Sequence, residues 1–277
     1  MSTIVDHGYV PEEHAPDPVI GHGDPTPPGK IAIWLFLASE VMFFIGLLGT
    51  YIILRSAQPK LFADHAHILS KPLAGLNTLV LIFSSLTMAL AVDAAHKGLR
   101  NKTVACLFIT FLCACGFMVV KAIEYADKYH HYTVIAPQGT TVYAYDGHKV
   151  SEDKDQIVIH GYRMEAKSAA FDIHLVSEHE MKLAAGKDAK MEEWTIDKKT
   201  ISQKLWYGPW KNNFFATYFA LTGVHGLHVV CGMIPIFILM LQALRGRVMG
   251  PAIEYTGLYW HLVDLIWIFL FPLLYLI

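Results

Sequence analysis

The stretch Tyr255-Thr-Gly-Leu-Tyr-Trp-His-Leu-Val-Asp-Leu-Ile-Trp-Ile-Phe-Leu-Phe-Pro-Leu-Leu-Tyr-Leu-Ile277 decides how this chain is read. It is apolar for long enough to cross a bilayer, which takes roughly 20 residues for a hydrocarbon core of about 30 Å. Its first half nevertheless holds a histidine and an aspartate, His261 and Asp264. Ionisable groups are costly in hydrocarbon and rare in such spans without a use. Three residues apart, these two share a helical face and are placed to pair. Trp260, Asp264 and Trp267 form one stripe, so this helix packs one face against protein and turns the other to lipid.

Composition agrees with that reading. Hydrophobic residues make up 54% of the chain and charged residues 17%, with a mean hydropathy of +0.37. Four further segments reach spanning length: 31–54, interrupted only by Glu40; 72–92, free of charge; 103–120, the shortest; and 212–244, long enough to tilt or project. The charges gather elsewhere, with 27 of the 46 Asp, Glu, Lys and Arg residues in 121–211. A net charge of −2 gives no footprint for nucleic acid. Cys106, Cys113, Cys115 and Cys231 lie in apolar segments without metal or disulfide spacing and read as small buried residues.

The expected fold is an all-α membrane protein of five transmembrane helices with a small α/β extramembrane insert between helices three and four. Residues 1–29 form a flexible, Pro/His-rich tail with no cleavable signal. Residues 30–127 hold the first three spans, 128–211 the insert, and 212–277 the last two. In the insert, Asp146-Gly147 flanked by strand formers predicts a hairpin turn. Residues 156–164 predict a strand and 172–185 a helix. Lys30, Lys97, Arg100, Lys102, Arg245 and Arg247 outnumber Arg55, Lys60 and Lys71, which places the N-terminus in the cytoplasm and the insert and C-terminus outside.

Polar residues in the spans are the candidate functional groups. Glu40 lies about 13 Å into the first span, near the midplane, and Asp264 at similar depth in the fifth. A carboxyl at that depth is protonated or paired. For Glu40 two readings stand: a neutral acid bonded to a neighbouring helix, or a group that handles protons or contacts a lipid head. In the fourth span His225 and His228 share a face, and Gly223, Gly226 and Gly232 allow close helix approach. A hydrogen-bonded interhelical network fits these histidines better than metal or haem ligation. Glu124, ending the third span, reads as interfacial. His130, His131, His148, His160, His174 and His179 match no metal motif and read as solvent-exposed. No nucleophile motif, phosphate loop or dinucleotide fingerprint is present.

Several blocks together resemble subunit III of the haem-copper cytochrome c oxidases. They are Trp34-Leu-Phe-Leu-Ala-Ser-Glu-Val-Met-Phe-Phe, Leu76-Asn-Thr, Ala122-Ile-Glu-Tyr, Thr222-Gly-Val-His-Gly-Leu-His-Val and Tyr259-Trp-His-Leu-Val-Asp-Leu-Ile-Trp-Ile-Phe-Leu. They occur in the family's order and cover all five spans. The resemblance implies a non-catalytic subunit of a bacterial inner-membrane oxidase in aerobic respiration, packed against subunit I. Haem and copper would belong to subunits I and II, and this chain would bind phospholipid and support proton uptake. The family's polar positions match Glu40, Glu124, Tyr125, His225, His228, Trp260, His261 and Asp264, and Trp34, Gly223, Gly226, Trp260 and Trp267 are the interface and packing candidates. Mitochondrial-type members have seven helices, so the chain resembles the five-helix bacterial form. The insert falls outside the resemblance and is expected to meet cytochrome c or an electron-donating complex. Accessory subunits of quinol oxidases or nitric oxide reductases, and more distantly a transporter or haem anchor, are the alternatives.

Overall fold

The computed structural model describes residues 28–138, 141–166, 173–185 and 190–276. The tail expected over 1–29 lies almost wholly outside them. Pro28 already opens the first helix, α1, Pro28–Ala57, where its missing N–H costs nothing. A short helix unseen in the sequence, α2 (Pro59–Ala66), follows. Then come α3 (Lys71–His96) and α4 (Arg100–His130). The insert comprises β1 (His131–Gln138), β2 (Thr141–Glu152), β3 (Gln156–Ala166), α5 (Glu178–Ala185), β4 (Glu192–Asp197), a 3-10 turn over Lys198–Thr200, and β5 (Gln203–Trp206). The chain closes with α6 (Asn213–Leu244), α7 (Gly250–Phe271) and a π turn over Pro272–Leu276. Five helices are long and apolar enough to cross a membrane, as expected.

α3, α4, α6 and α7 form the packed bundle, and α1 lies against α6 and α7 at its edge. Trp260 and Trp267 of α7 are fully buried at the centre, while Leu265, Ile268 and Phe269 on the opposite face are exposed. Helix pairs in lipid gain little from apolar burial itself and depend on close contact and interhelical hydrogen bonds. Gly232 supplies the close contact, since a Cβ there would stand 2.9 Å from the Trp260 ring. Gly223 and Gly226 meet only Tyr125 and Met118 at 3.9 Å, an ordinary contact. The hydrogen bonds come from Trp260 Nε1 to Ser84 Oγ (3.0 Å), Trp267 Nε1 to Thr78 Oγ1 (3.0 Å) and the Thr87–Thr110 hydroxyl pair (2.8 Å).

Three expectations need correction. The helix that holds the third span is not the shortest: α4 continues for 31 residues, with Lys121, Glu124 and Lys128 buried in its C-terminal part. Asp146-Gly147 is not a turn. β1 and β2 pair from His131↔His148 to Gln138↔Thr141, which puts Asp146 and Gly147 inside β2 opposite Tyr162 and Gly161 of β3. A Cβ on Gly147 would run into the His160 carbonyl, so this glycine serves close strand approach rather than a bend. The cysteines are not fully buried; three are half-buried and Cys231 is exposed on the bundle surface.

The insert is a five-stranded antiparallel sheet of order β4-β3-β2-β1-β5, so the predicted strand over 156–164 is present within a larger sheet. The predicted helix over 172–185 is shorter, since 173–177 are turn and loop and residue 172 lies outside the described residues. Ile135, Ala144, Tyr162, Ile173, Val176 and Met181 form the core under α5. Val134, Tyr145, Ile157, Ile159 and Ile196 form the core of the other face.

Replacing Gly232 with valine should drive Trp260 off its site and cost about 1–3 kcal/mol, as overpacking does. A fall in the thermal midpoint of the detergent-purified protein, absent in Gly226→Val, would show it.

Candidate functional site

Glu40 and His228 meet between α1 and α6, with Nε2 2.8 Å from Oε2. His228 Nδ1 is 2.8 Å from the Val224 carbonyl one turn earlier, so Nδ1 carries a hydrogen. A single further proton then lies in the bond between His228 Nε2 and Glu40. Both residues are partly exposed. Of the two readings for Glu40, the structure supports the interhelical hydrogen bond.

His261 and Asp264 share a face but do not pair. His261 Nδ1 bonds Ser85 Oγ of α3 at 2.6 Å. Asp264 is 3% exposed, and neither of its carboxyl oxygens completes a hydrogen bond, although Ser85 lies beside it. His225 likewise belongs to no hydrogen-bonded network. It is wedged between Phe117 and Trp267, at centroid distances of 5.6 and 5.0 Å, with both ring nitrogens unpartnered. Trp34 lies outside the core, 55% exposed on α1.

Glu124 is buried within the bundle. Its carboxylate takes Lys121 Nζ at 2.7 Å, Lys128 Nζ at 3.4 Å and Tyr275 Oη at 2.8 Å. Lys121 also reaches Tyr218 Oη (3.2 Å) and Tyr275 Oη (3.1 Å), and stands over four aromatic rings, those of Tyr125, Tyr218, Trp267 and Tyr275. The spacing Lys121-x-x-Glu124-x-x-x-Lys128 puts all three charges on one helical face, a signal the sequence held but that composition disguised as the start of the charged insert. The π turn after Phe271, beginning at Pro272, brings Tyr275 onto this cluster, and Tyr51 of α1 donates to the Leu273 carbonyl there (2.9 Å).

A second polar centre lies where the insert joins the bundle. Asp146 is fully buried and accepts from His131 Nε2 (3.0 Å), Tyr207 Oη (2.8 Å) and Thr133 Oγ1, with Lys211 Nζ at 3.8 Å. His131 is therefore a buried residue, against expectation; His130 and His174 are exposed, and His148, His160 and His179 half-buried. Burial alone would raise the Asp146 carboxyl, but His131, Lys211 and the bonds from His131 and Thr133 hold it down at about 2. Burial pushes the Lys211 ammonium down to about 8 against the pull of Asp146. Ligand atoms of His131, Asp146 and Glu178 lie within 4.8 Å of one another. The donors already engage both Asp146 oxygens, and Lys211 would repel a cation, so the cluster is a structural joint. Next to it, Asn212 caps α6 by accepting from Phe215 N (3.1 Å) and donates to His65 Nε2 (3.1 Å) and the His174 carbonyl (3.2 Å). Burial, with Lys211 nearby, lowers His65 to about 4, so it accepts this bond as a neutral ring.

Residues 206–277, which hold His225, His228, His261 and Asp264, match the family model of cytochrome c oxidase subunit III. The chain is 23% identical over its whole length to 98% of the cytochrome bo(3) ubiquinol oxidase subunit 3 of Pseudomonas aeruginosa. It is 22% identical, over 89% of its length and 85% of the relative's, to the cytochrome c oxidase subunit 3 of Alkalihalophilus pseudofirmus. A shorter match at 38% identity, over 24% of the chain and 34% of the relative, is to a probable quinol oxidase subunit 3 of Staphylococcus saprophyticus.

Two outcomes follow from these contacts. Asp146→Asn strands a buried Lys211 and should destabilise the insert by roughly 3–5 kcal/mol. In the native protein the depressed Asp146 contributes about 2 kcal/mol, in full above pH ~4 and lost as pH falls through about 2. Hydrogen exchange of β1 and β2 amides reads both. For the second pair, Glu40→Gln can still bond His228, whereas His228→Leu leaves Glu40 without its partner. Thermal stability of the purified protein should fall by about 1–2 kcal/mol more for His228→Leu.

Proposed function

We infer that this chain, which belongs to the subunit III family of the haem-copper oxidases, is a non-catalytic membrane subunit of a terminal respiratory oxidase. The observation that carries this is the family match over α6 and α7, the helices that hold His225, His228, His261 and Asp264. The chain is a multi-pass membrane protein and works in association with other oxidase subunits. Haem and copper are assigned to subunits I and II. In support, His228 is committed to Glu40 and His261 to Ser85, and His225 is sealed between two aromatic rings.

The proposed setting is a bacterial inner membrane, with the N-terminus cytoplasmic and the insert outside. Cytochrome c is the proposed electron donor on the sequence blocks. A quinol donor is the second reading, favoured by the full-length similarity to a ubiquinol oxidase subunit. Phospholipid is the proposed ligand of a wholly apolar groove of about 310 Å³ between α1 and α7, lined by Val41, Phe44, Ile45, Leu48, Leu262 and Leu265 among others. The exposed apolar face of α1 suits either lipid or subunit I. Support of proton uptake by the neighbouring subunit is assigned to the Glu40–His228 side of the chain.

Purification in mild detergent through a tag on this chain, followed by mass spectrometry, tests the reading. A haem-copper subunit I in constant ratio is expected. A copper-binding subunit II beside it means cytochrome c as donor, and a subunit II lacking copper ligands means quinol. Recovery of the chain alone, intact and folded, overturns the reading. Deleting residues 135–205 should weaken association with an electron-donating complex and leave the haem spectrum unchanged. Undiminished association would remove the insert from donor contact.

A further inference from the structure

Besides Gln242, three side chains within the described residues of the bundle keep buried polar atoms without a hydrogen-bond partner. These are the Asn77 carbonyl oxygen, both ring nitrogens of His225 and both carboxyl oxygens of Asp264. Their residues are 2%, 0% and 3% exposed. Native interiors rarely leave such atoms dry, and ordered water is the usual partner.

Their positions form a row. Asp264 lies one helical turn from Trp267 on the buried face of α7, about 4.5 Å along the axis. The His225 ring is 5.0 Å from the Trp267 ring. Asn77 Nδ2 is 3.5 Å from the carbonyl of Phe117, the residue packed on the other side of His225. On the same Trp267 ring stands Lys121 Nζ, at 5.3 Å. Beyond Lys121 the row continues without a break in hydrogen bonding through Glu124, Tyr275 and Lys128, to the point where α4 becomes β1. The cluster at that end holds two lysines against one glutamate, and the far end holds a carboxyl with no cation.

We propose that Asp264, His225 and the Lys121–Glu124 pair form a proton-holding line, bridged by internal water, along the inside of this subunit toward its insert. Asp264, lacking an ion-pair partner in the bundle, holds its proton as the neutral acid. That proton passes to a water, and the water gives one to a ring nitrogen of His225. The other ring nitrogen releases a proton through a second water to the Lys121–Glu124 pair, and the same relay run in reverse returns one to Asp264. Over a full exchange Asp264 ends as the acid, Glu124 as the carboxylate held by Lys121 and Lys128, and His225 as the neutral ring, so charge and atoms balance without an oxidant or reductant. Trp267 and Phe117 hold the imidazole in the gap. The line consists of this chain's own residues and does not depend on which donor serves the oxidase.

Infrared spectroscopy of the intact purified complex, transferred from H2O to D2O, tests it. A protonated-carboxyl band that disappears in Asp264→Asn and shifts rapidly in D2O is expected. In His225→Phe the same shift should slow by about tenfold or more, with subunit ratios unchanged. Should that variant fail to assemble, His225→Asn keeps the gap polar but removes the titratable ring, and should slow the shift as well. No Asp264 band, or unchanged exchange in the assembled His225 variant, overturns the proposal. Because each arm reads a band of this chain, failure of the line is distinct from failure of the oxidase assignment, which subunit composition decides.

Discussion

Inside hydrocarbon a polar side chain has no water to fall back on, and the bundle is organised by how that demand is met. α4 carries most of it on one face, from Thr103 and Thr110 through Lys121 and Glu124 to Lys128. Each neighbouring helix answers at a particular level: Thr87 of α3, Tyr218 of α6, and Tyr275 at the end of α7. These pairings set the rotation of each helix, which apolar contact in lipid specifies poorly. Small residues then set the separation. Gly232 admits Trp260, and Gly257 accepts Val92 and Met88 of α3.

The same helix delivers the chain into the insert, since α4 ends at His130 and β1 begins at His131. The joint is polar and buried. Asp146 gathers donors from the start of β1 and from the segment that leads back to α6, so the entry and exit of the insert are tied at one carboxylate. Asn212 extends the tie to α2 through His65. Gly147 and Gly161, facing each other on β2 and β3, let the strands close over this joint.

The histidines of α6 and α7 divide among three kinds of contact. In the bundle, each has a structural occupation: a carboxyl partner for His228, a hydroxyl for His261, an aromatic slot for His225. Groups placed this way tie the helices of the bundle to one another.

The five spans were legible because spanning length and apolarity are local properties of a segment, as 255–277 and 212–244 illustrate. The family blocks were legible for the same reason, each being a short run on one helix. The polar candidates were legible too, since an ionisable residue in such a run stands out by itself. What each of them touches was not. His261 and Asp264 share a helix face, yet His261 turns to Ser85 of α3, 176 residues away in the chain. Glu40 finds His228 across 188 residues. The insert misled most. Asp146-Gly147 has the chemistry of a turn, and only the pairing of β2 with both neighbours shows that the aspartate is a buried anchor and the glycine a point of close approach. Lys121 and Lys128 looked like the start of a hydrophilic segment and are buried against Glu124. The sequence by itself determined which segments enter the membrane and which residues there carry charge, because transfer from water to hydrocarbon acts on each residue separately. The tertiary structure alone decided which charges are paired and which stay unpartnered, because a hydrogen bond requires two groups that distant parts of the chain bring within 3 Å or so.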